Sequence, residues 1–337
     1  MSKTPKNKKY LELQGIRVYH NKKDNTIQLI TTDPDLTGKP FQITLSTGTP
    51  TDQSLRELLL EKEILNEEEV YPQSHVPTYA ERDEYTSKST AWNEIPVGWT
   101  KFNQKLIINV THTPHTLISG GTGQGKTNLI NNFFLHALEH SDKWSICALH
   151  PTSAEFAYLE KYPESLYGLA HNFTDSVKQL HRLERTLEKR IHQMRFKEVN
   201  NFQDLDEYTP AIMVVVDETL TLLSKALYAK GHLAEERNIL AIQTRELIHK
   251  LARLGRAAGI FLVLATQRPD ADIFTGELKA NLDNRIAIGR MDKTTSTLVL
   301  GVDVATQTPN QVKGRAILRH NTELIPFQIY HAPLDRP

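Results

Sequence analysis

A glycine-rich stretch in the first half of the chain has the composition of a phosphate-binding loop. Residues 120–127 read Gly-Gly-Thr-Gly-Gln-Gly-Lys-Thr and fit the P-loop pattern G-x-x-x-x-G-K-[ST]. Glycines let backbone N–H groups approach phosphate oxygens, while Lys126 is expected to reach the β- and γ-phosphates. The hydroxyl of Thr127 is expected to ligate Mg²⁺. The ligands predicted from this stretch are ATP and Mg²⁺. The predicted nucleotide-binding residues are Gly120, Gly121, Thr122, Gly123, Gln124, Gly125, Lys126, Thr127 and Asn128.

Two adjacent acids follow an apolar run further along the chain. Residues 211–216 read Ala-Ile-Met-Val-Val-Val, and Asp217 and Glu218 come next. We expect Asp217 to hold Mg²⁺, directly or through water, and Glu218 to orient the water that attacks the γ-phosphate. A strand that ends in Asp-Glu is weak evidence by itself. Its position downstream of the glycine-rich loop makes the pair the second half of a predicted hydrolytic site.

A parallel sheet is the element that would bring these residues together. Short apolar runs predict buried strands at residues 115–119, 144–149, 211–216, 259–265 and 285–289. The fourth run is followed by Thr266 and Gln267, where a polar side chain would contact the γ-phosphate or its water. Helical periodicity predicts helices over 128–138 and 174–197. The predicted fold class is α/β, a P-loop NTPase core with a parallel central sheet.

The remaining sequence divides into a small amino-terminal part and a large carboxy-terminal part. We predict a basic tail at 1–9, a small β-rich module with one short helix at 10–69, a polar linker at 70–94 and the ATPase domain at 95–337. The module carries no chemical motif, so it is interpreted as an interaction or assembly unit.

Composition excludes several classes of protein. Among 337 residues, Lys plus Arg and Asp plus Glu are each 40, so the chain is not a uniformly basic nucleic-acid coat protein. Cys147 is the single cysteine, which excludes a disulfide framework and fits a reducing cytoplasm. No run of 18 apolar residues is present, so direct insertion into a membrane is not expected.

The large carboxy-terminal part of the chain resembles the FtsK/SpoIIIE family of DNA translocases. The resemblance is carried by Arg256-Ala-Ala-Gly-Ile, by Ala265-Thr-Gln-Arg-Pro, by Leu278-Lys-Ala-Asn and by Arg285-Ile-Ala. It extends from about residue 95 to residue 330 and includes the glycine-rich loop. This combination is far more specific than a P-loop alone.

The resemblance implies a RecA-like core that assembles into a ring, usually a hexamer, around double-stranded DNA. It implies that Arg256 is an arginine finger acting on the ATP of a neighbouring subunit and that Gln267 lies near the γ-phosphate. Arg268, Lys279 and Lys293 match positions that line the DNA channel. Single-stranded DNA stays open as a substrate. A relaxase or a membrane channel is the partner considered for the amino-terminal module.

Departures from the family pattern refine the expectation. The strand at 144–149 is followed by His150-Pro151-Thr152 where the family has Asp-Pro-Lys, so no role is carried over to these residues. Thr295 and Thr297 stand near Lys293 where charged residues are frequent. With neither a multi-span membrane region nor a winged-helix module in view, the chain is expected to serve transfer of a plasmid, an integrative element or phage DNA.

Two alternatives stay open from the sequence. One is a secretion-type ATPase of the same superfamily that drives protein export, although such proteins usually carry several ATPase units. The other is a non-catalytic assembly protein that binds ATP without turnover, against which the complete set of acidic and basic site residues argues. DNA-stimulated ATPase activity would separate these alternatives from a DNA translocase.

Overall fold

The computed structural model describes residues 10–13, 16–21, 26–31, 41–44, 91–100, 104–206, 209–224, 232–309 and 312–332. Contacts divide the chain into two units, Met1–Val70 and Tyr71–Pro337, which are described separately below. The predicted basic tail, the short helix of the module and most of the predicted linker lie outside the described residues. The predicted domain boundaries therefore stay predictions.

The first unit contains an antiparallel sheet with its strands in sequence order. The strands are β1 (Tyr10–Leu13), β2 (Ile16–Asn21), β3 (Thr26–Thr31) and β4 (Phe41–Thr44). Each strand pairs with the next one along the chain, as short connections favour. The β-rich character predicted for this part of the chain is confirmed.

In the second unit, the described strands form one ten-stranded sheet. The strands are β5 (Glu94–Thr100), β6 (Lys105–Asn109), β7 (Thr116–Gly120), β8 (Trp144–Leu149), β9 (Leu166–Ala170), β10 (Ala211–Val216), β11 (Ile260–Thr266), β12 (Asn284–Ile288), β13 (Arg315–His320) and β14 (Glu323–Ile329). The described helices are α1 (Lys126–Glu139), α2 (Phe173–Lys197), α3 (Thr219–Leu223), α4 (His232–Ala258), α5 (Gly276–Ala280) and α6 (Lys293–Leu300). Short 3₁₀ turns connect several of these elements.

The strand order decides where the polar residues gather. The parallel part runs β12-β7-β11-β10-β8-β9, so β11 lies between the strand before the glycine-rich loop and the strand before the two acids. In a parallel sheet the carboxyl ends of all strands lie at one edge, where ligands of open α/β sheets bind. The predicted α/β fold with a parallel central sheet is confirmed.

Helices cover both faces of the parallel strands, which explains why those strands are apolar throughout rather than alternating. Phe133 of α1 packs with Ile118, Met213 and Val263 on one face. Intervening strand residues point to the other face. That face packs against α2 and α4 through Leu183, Leu187, Ile248, Leu251, Leu117, Val214 and Leu262.

An antiparallel extension adds to one side of the parallel strands. The order β12-β13-β14-β5-β6 is antiparallel throughout, so the sheet is mixed. The sequence patterns did not predict these four additional strands or β9. The strands that were predicted begin and end within about two residues of their predicted limits.

His115 lies just before β7 rather than inside it. Its Nδ1 accepts a hydrogen bond from the backbone N–H of Leu262, at 3.0 Å. Burial lowers the pKa of His115 to about 3, so the ring is neutral and fastens β7 to β11. Within the described residues, no helix has the length and apolar content needed to cross a bilayer.

Candidate nucleotide site

The segments that follow four parallel strands meet at one edge of the sheet. The glycine-rich loop follows β7, Gln267 follows β11, the acids follow β10 and His150 follows β8. Residues separated by more than a hundred positions are thereby brought within hydrogen-bonding distance, as the Thr122–Gln267 contact shows. The sheet topology alone produces this convergence.

The glycine-rich loop has the backbone shape that its composition predicts. Gly123 has φ +74° and Gly125 has φ +115°, conformations that residues with a Cβ rarely adopt. Gly125 is also the residue immediately before α1, so the loop leads directly into the positive end of a helix dipole. The carbonyl of Gln124 accepts a hydrogen bond from the N–H of Gly314 at 2.8 Å, which attaches the loop to the segment before β13.

Lys126 contacts both acids that follow β10. Its Nζ donates to Oδ1 of Asp217 and lies 3.2 Å from Oε1 of Glu218. Lys126 and Asp217 are 8% and 1% exposed, so this ion pair is shielded from solvent. A phosphate group that entered the site would offer Lys126 a replacement partner and would leave Asp217 available to a cation.

Gln267 joins Glu218 to the glycine-rich loop. Its Nε2 donates to Oε1 of Glu218 at 2.6 Å, while its Oε1 accepts from the Thr122 hydroxyl at 3.1 Å. Glu218 has φ +51°, an uncommon conformation for a residue with a side chain, at the position before α3. The amide therefore connects the predicted water-orienting carboxylate with the predicted phosphate-binding loop.

Glu155 and His150 belong to the same cluster, although no sequence motif predicted a role for them. Oε1 of Glu155 accepts the hydrogen bond of the Thr127 hydroxyl at 2.8 Å, and Oε2 lies 3.3 Å from Nε2 of His150. The other ring nitrogen of His150 accepts from the N–H of Ser153 at 3.1 Å, so Nε2 carries the proton and donates to Glu155. The signal available in the sequence was their position just after a buried parallel strand.

The donor set of this cluster fits Mg²⁺. The Thr127 hydroxyl and the Asp217 carboxylate are oxygen donors, which Mg²⁺ prefers, and the Glu155 carboxylate holds the Thr127 hydroxyl through a hydrogen bond. Donor atoms of His150, Glu155 and Asp217 lie within 4.8 Å of one another. Because His150 Nε2 carries a proton, the ring supplies a hydrogen bond here rather than a metal–nitrogen bond. Glu155 contacts Thr127 and lies in one group with Asp217, and the shared Mg²⁺ role of Thr127 and Asp217 stays a prediction.

Arg256 does not lie at this edge of the sheet. It is exposed in the last turn of α4, close to the first residue of β11. Gln267 follows the last residue of β11, at the opposite edge of the sheet. Burial raises the pKa of Asp283, and the positive charge of Arg256 partly offsets the effect. The structure thus separates Arg256 from Lys126, Glu218 and Gln267 within one chain.

The three predicted DNA-contacting residues occupy different environments. Arg268 is exposed directly after Gln267. Lys293 is exposed and lies 3.3 Å from Asp303, a surface pair of small energetic weight. Lys279 is partly buried, and burial, followed by the nearby charge of Arg285, lowers its pKa. These residues are not brought together into one cluster with the nucleotide site.

The side chain of Asn128 has partners outside the predicted phosphate site. Its Nδ2 donates to the carbonyl of Tyr330, and its Oδ1 accepts from the N–H of Ala332 at 2.7 Å. Asn132, one turn later, also donates to the Tyr330 carbonyl, at 3.0 Å. These contacts attach α1 to the segment after β14, whereas the predicted nucleotide contact of Asn128 stays a prediction.

The fold and the geometry of this edge define a P-loop nucleoside triphosphatase. Residues 79–243 match the model of the FtsK/SpoIIIE family, and this match supports the FtsK/SpoIIIE-type family that the sequence resemblance indicated. Members of this family are ATPases, which confirms the predicted enzyme class.

Curated relatives match over part of their length. A DNA translocase FtsK of Listeria monocytogenes is 27% identical over 211 residues, which cover 61% of this chain and 28% of the relative. One from Staphylococcus epidermidis is 26% identical over 212 residues, which cover 62% of this chain and 26% of the relative. The aligned part thus spans about a quarter of each relative.

Solved structures share the fold. The conjugation coupling protein TcpA of pCW3, a monomer form with ATPγS, superposes with a TM-score of 0.66 at 21% identity and covers 96% of this chain and 88% of TcpA. The cytoplasmic domain of the type VII secretion ATPase EccC of Thermomonospora curvata gives a TM-score of 0.60 at 23% identity. That match covers 72% of this chain and 29% of EccC.

Proposed function

We propose that this protein hydrolyses ATP and uses the energy to move double-stranded DNA. The observation that carries the proposal is the connected set of Lys126, Asp217, Glu218, Gln267 and Thr122 in a domain of the FtsK/SpoIIIE type. The single cysteine of the chain fits a cytoplasmic site of action.

The chemistry proposed for the site follows from the contacts of its side chains. Lys126 leaves its pair with Asp217 and binds the β- and γ-phosphates, while the backbone of the glycine-rich loop surrounds them. Mg²⁺, held by Thr127 and Asp217, would neutralise charge on the phosphates when it is bound. Glu218 orients the attacking water, and Gln267 holds Glu218 in place through its amide.

Coupling to DNA is proposed through the segment after β11. Gln267 contacts the water-orienting Glu218, and the exposed Arg268 follows it directly. A change at the γ-phosphate that moves Gln267 would therefore also move Arg268, whose positive charge is suited to binding DNA phosphates. Contacts of this kind are independent of sequence and weaken steeply as salt rises.

The assembly proposed is a homo-oligomeric ring, with a hexamer as the expected size. Support comes from the exposed position of Arg256, far from its own nucleotide site, where a neighbouring subunit could receive it. The relative TcpA is a conjugation coupling protein, and this favours transfer of mobile DNA as the biological setting. Docking to a relaxase or a membrane channel through the amino-terminal unit is part of the same proposal.

ATPase assays with and without double-stranded DNA test the proposed function. We expect DNA to stimulate wild-type turnover, Lys126→Ala to lose nucleotide binding or turnover, and Glu218→Gln to bind ATP but turn over about 10²–10⁴-fold more slowly. ATP turnover that ignores DNA would instead favour the protein-export alternative, whose EccC neighbour shares the fold. Normal turnover by Glu218→Gln would remove that residue from the mechanism.

A further inference from the structure

The carboxy-terminal turn of α1 carries a second group of metal-ligating side chains. His136, Glu139 and His140 have the spacing i, i+3 and i+4, which places side chains on one face of a helix. Their donor atoms lie within 4.8 Å of one another. The group is about 15–20 Å from Lys126 along the helix axis, so it is separate from the nucleotide site.

Hydrogen bonds to backbone carbonyls fix the protonation of both imidazole rings. Nε2 of His136 is 2.9 Å from the carbonyl oxygen of Trp92, and Nδ1 of His140 is 3.0 Å from the carbonyl oxygen of His136. A carbonyl only accepts, so each of these nitrogens carries the proton. In the neutral form of each ring, the lone pair then lies on the opposite nitrogen, Nδ1 of His136 and Nε2 of His140. Proteins orient metal-binding histidines in this way, with the second N–H bonded to a carbonyl or carboxylate.

The burial of the three residues resembles that of an open metal site. His136 is fully buried, His140 is partly buried and Glu139 is exposed, so an ion would be enclosed by protein on one side and would meet solvent on the other. The two rings have centroids 4.4 Å apart and are tilted by 37°. Donor atoms around a tetrahedral Zn²⁺ are about 3.3–3.4 Å apart, given Zn–N bonds of about 2.0–2.1 Å.

We propose that His136, Glu139 and His140 bind a divalent transition-metal ion of the Zn²⁺ class. Two imidazole nitrogens and one carboxylate suit Zn²⁺ and its neighbours, whereas Mg²⁺ prefers an all-oxygen set. The cluster at the nucleotide site differs in this respect, because backbone N–H groups occupy the lone pair of the His150 ring. Three protein ligands leave a fourth position to water or to another donor.

An ion at this position would stabilise the junction between α1 and the segment before β5. The Trp92 carbonyl accepts from His136 and also from Nε1 of Trp144, at 2.7 Å. The rings of Trp92 and Trp144 are 5.5 Å apart. Two tryptophans beside the proposed site make their fluorescence a direct local reporter of a quenching ion such as Cu²⁺.

Spectroscopic titration of the full chain with Co²⁺ tests the proposal. The protein is first stripped with a chelator, and saturating Mg²⁺ and ATPγS are added so that the nucleotide site is occupied. We expect one Co²⁺ per chain with the intense visible absorption of a four-coordinate site. Glu139→Gln and His140→Gln should each weaken binding by at least the 10–100-fold seen on loss of an outer-shell partner.

His181→Gln is the matched control. His181 also lies on a helix, and its ring is 3.6 Å from the carboxylate of Glu184 at i+3. Among the described residues, His181 belongs to no group of three metal-ligating side chains. This variant should bind Co²⁺ like wild type and quench with Cu²⁺ to the same extent. Zn²⁺ should raise the melting temperature of wild type and of His181→Gln, and should leave that of His140→Gln unchanged.

Two results would overturn the proposal. One is the absence of Co²⁺ absorption in a wild-type protein that is folded by circular dichroism. The other is equal Co²⁺ affinity in wild type and His140→Gln, which would place any bound ion elsewhere. Glu139→Gln protects the test against misfolding of His140→Gln, because Glu139 is exposed and its substitution removes only a carboxylate oxygen.

Discussion

Lys126 makes an ion pair with Asp217 that is almost fully shielded from solvent. Removing one partner of such a pair leaves an uncompensated buried charge, which is strongly destabilising. Nucleotide binding avoids that cost only if the phosphates pair with Lys126 while a cation binds Asp217. The pair therefore favours joint binding of nucleotide and Mg²⁺ over binding of either alone.

Glu155 should matter for the metal rather than for the nucleotide itself. It accepts the hydrogen bond of the Thr127 hydroxyl, which leaves the lone pairs of that oxygen for Mg²⁺, the ion that Thr127 would hold. In nucleotide-binding titrations, Glu155→Ala should require about 10–100-fold more Mg²⁺, as expected when an outer-shell partner is lost. Glu155→Gln keeps an oxygen that accepts from the Thr127 hydroxyl, so its Mg²⁺ requirement should rise less.

Glu160→Gln provides the matched control for Glu155. Glu160 lies in the same connection and pairs with a histidine, His171, at 3.6 Å, but is mostly exposed. Its Mg²⁺ requirement should equal that of wild type. Nucleotide affinity measured in a chelator should be the same in all variants. If Glu155→Ala lost the same amount of nucleotide affinity with and without Mg²⁺, the role of Glu155 would be purely structural.

Residues of the glycine-rich loop and the adjacent acids could be predicted from the sequence because their spacing is fixed by phosphate geometry. Glu155 and His150 could not, because no local spacing relates them to Thr127. The irregular connection after β8 sets their positions, and Thr127 and Glu155 meet only in the folded sheet. Asn128 shows the reverse case, since its place in the motif did not reveal the partners of its side chain.

At the scale of elements, Gly259 sets the turn between α4 and β11. It has φ +69°, and a Cβ there would meet the ring of Phe202 at 2.6 Å. Gly259→Ala should lower the free energy of unfolding by about 1–3 kcal/mol for the backbone conformation alone, and the contact with Phe202 adds to this loss. Denaturant titration measures the change.

Gly276→Ala is the control for that measurement. Gly276 begins α5, and a Cβ there meets nothing within 4 Å. Its stability should stay within about 0.5 kcal/mol of wild type, the usual range for surface substitutions. Equal stability of the two variants would show that the α4–β11 turn tolerates a side chain.

Elements were predictable where one local pattern sufficed. The strands β7, β8, β10 and β11 are continuous apolar runs because helices cover both faces, and such runs stand out in a sequence. The antiparallel strands form two local hairpins, β5–β6 and β13–β14, and β14 pairs with the distant β5, as Phe327 does with Thr100. The pairing of β14 with β5 depends on tertiary contacts, which local periodicity does not reveal.

At the scale of the whole molecule, the position of Arg256 predicts that the active site is shared between subunits. An arginine supplied by a neighbour contributes about 10³–10⁵ in rate in related phosphoryl transfers. Arg256→Ala and Lys126→Ala proteins should each be nearly inactive alone. Mixtures should regain part of the ATPase activity, because some interfaces combine an intact loop with an intact Arg256.

Arg253→Ala is the control, since Arg253 is exposed on the same helix one turn earlier. It should keep wild-type activity alone. Subunit exchange in the mixtures is verified by fluorescence transfer between labelled proteins. Exchange without recovered activity, or full activity of Arg256→Ala alone, would contradict a shared site. A role of Arg256 only at the end of α4, where a cation is favourable, would give the second of these results.

The attachment of Asn128 to the backbone of Tyr330 and Ala332 has a mechanical consequence. These hydrogen bonds connect the segment after β14 to α1, the helix that begins with Lys126. A force applied at Ala332 would therefore reach α1 through them. Asn128→Ala should weaken this linkage, which then rests on the bond from Asn132 to the Tyr330 carbonyl, and should speed hydrogen exchange in the first turn of α1. Unchanged exchange would refute the linkage. We therefore expect the stiffness of the phosphate-binding end of α1 to depend on the segment after β14, so that tension applied to that segment would alter the nucleotide site.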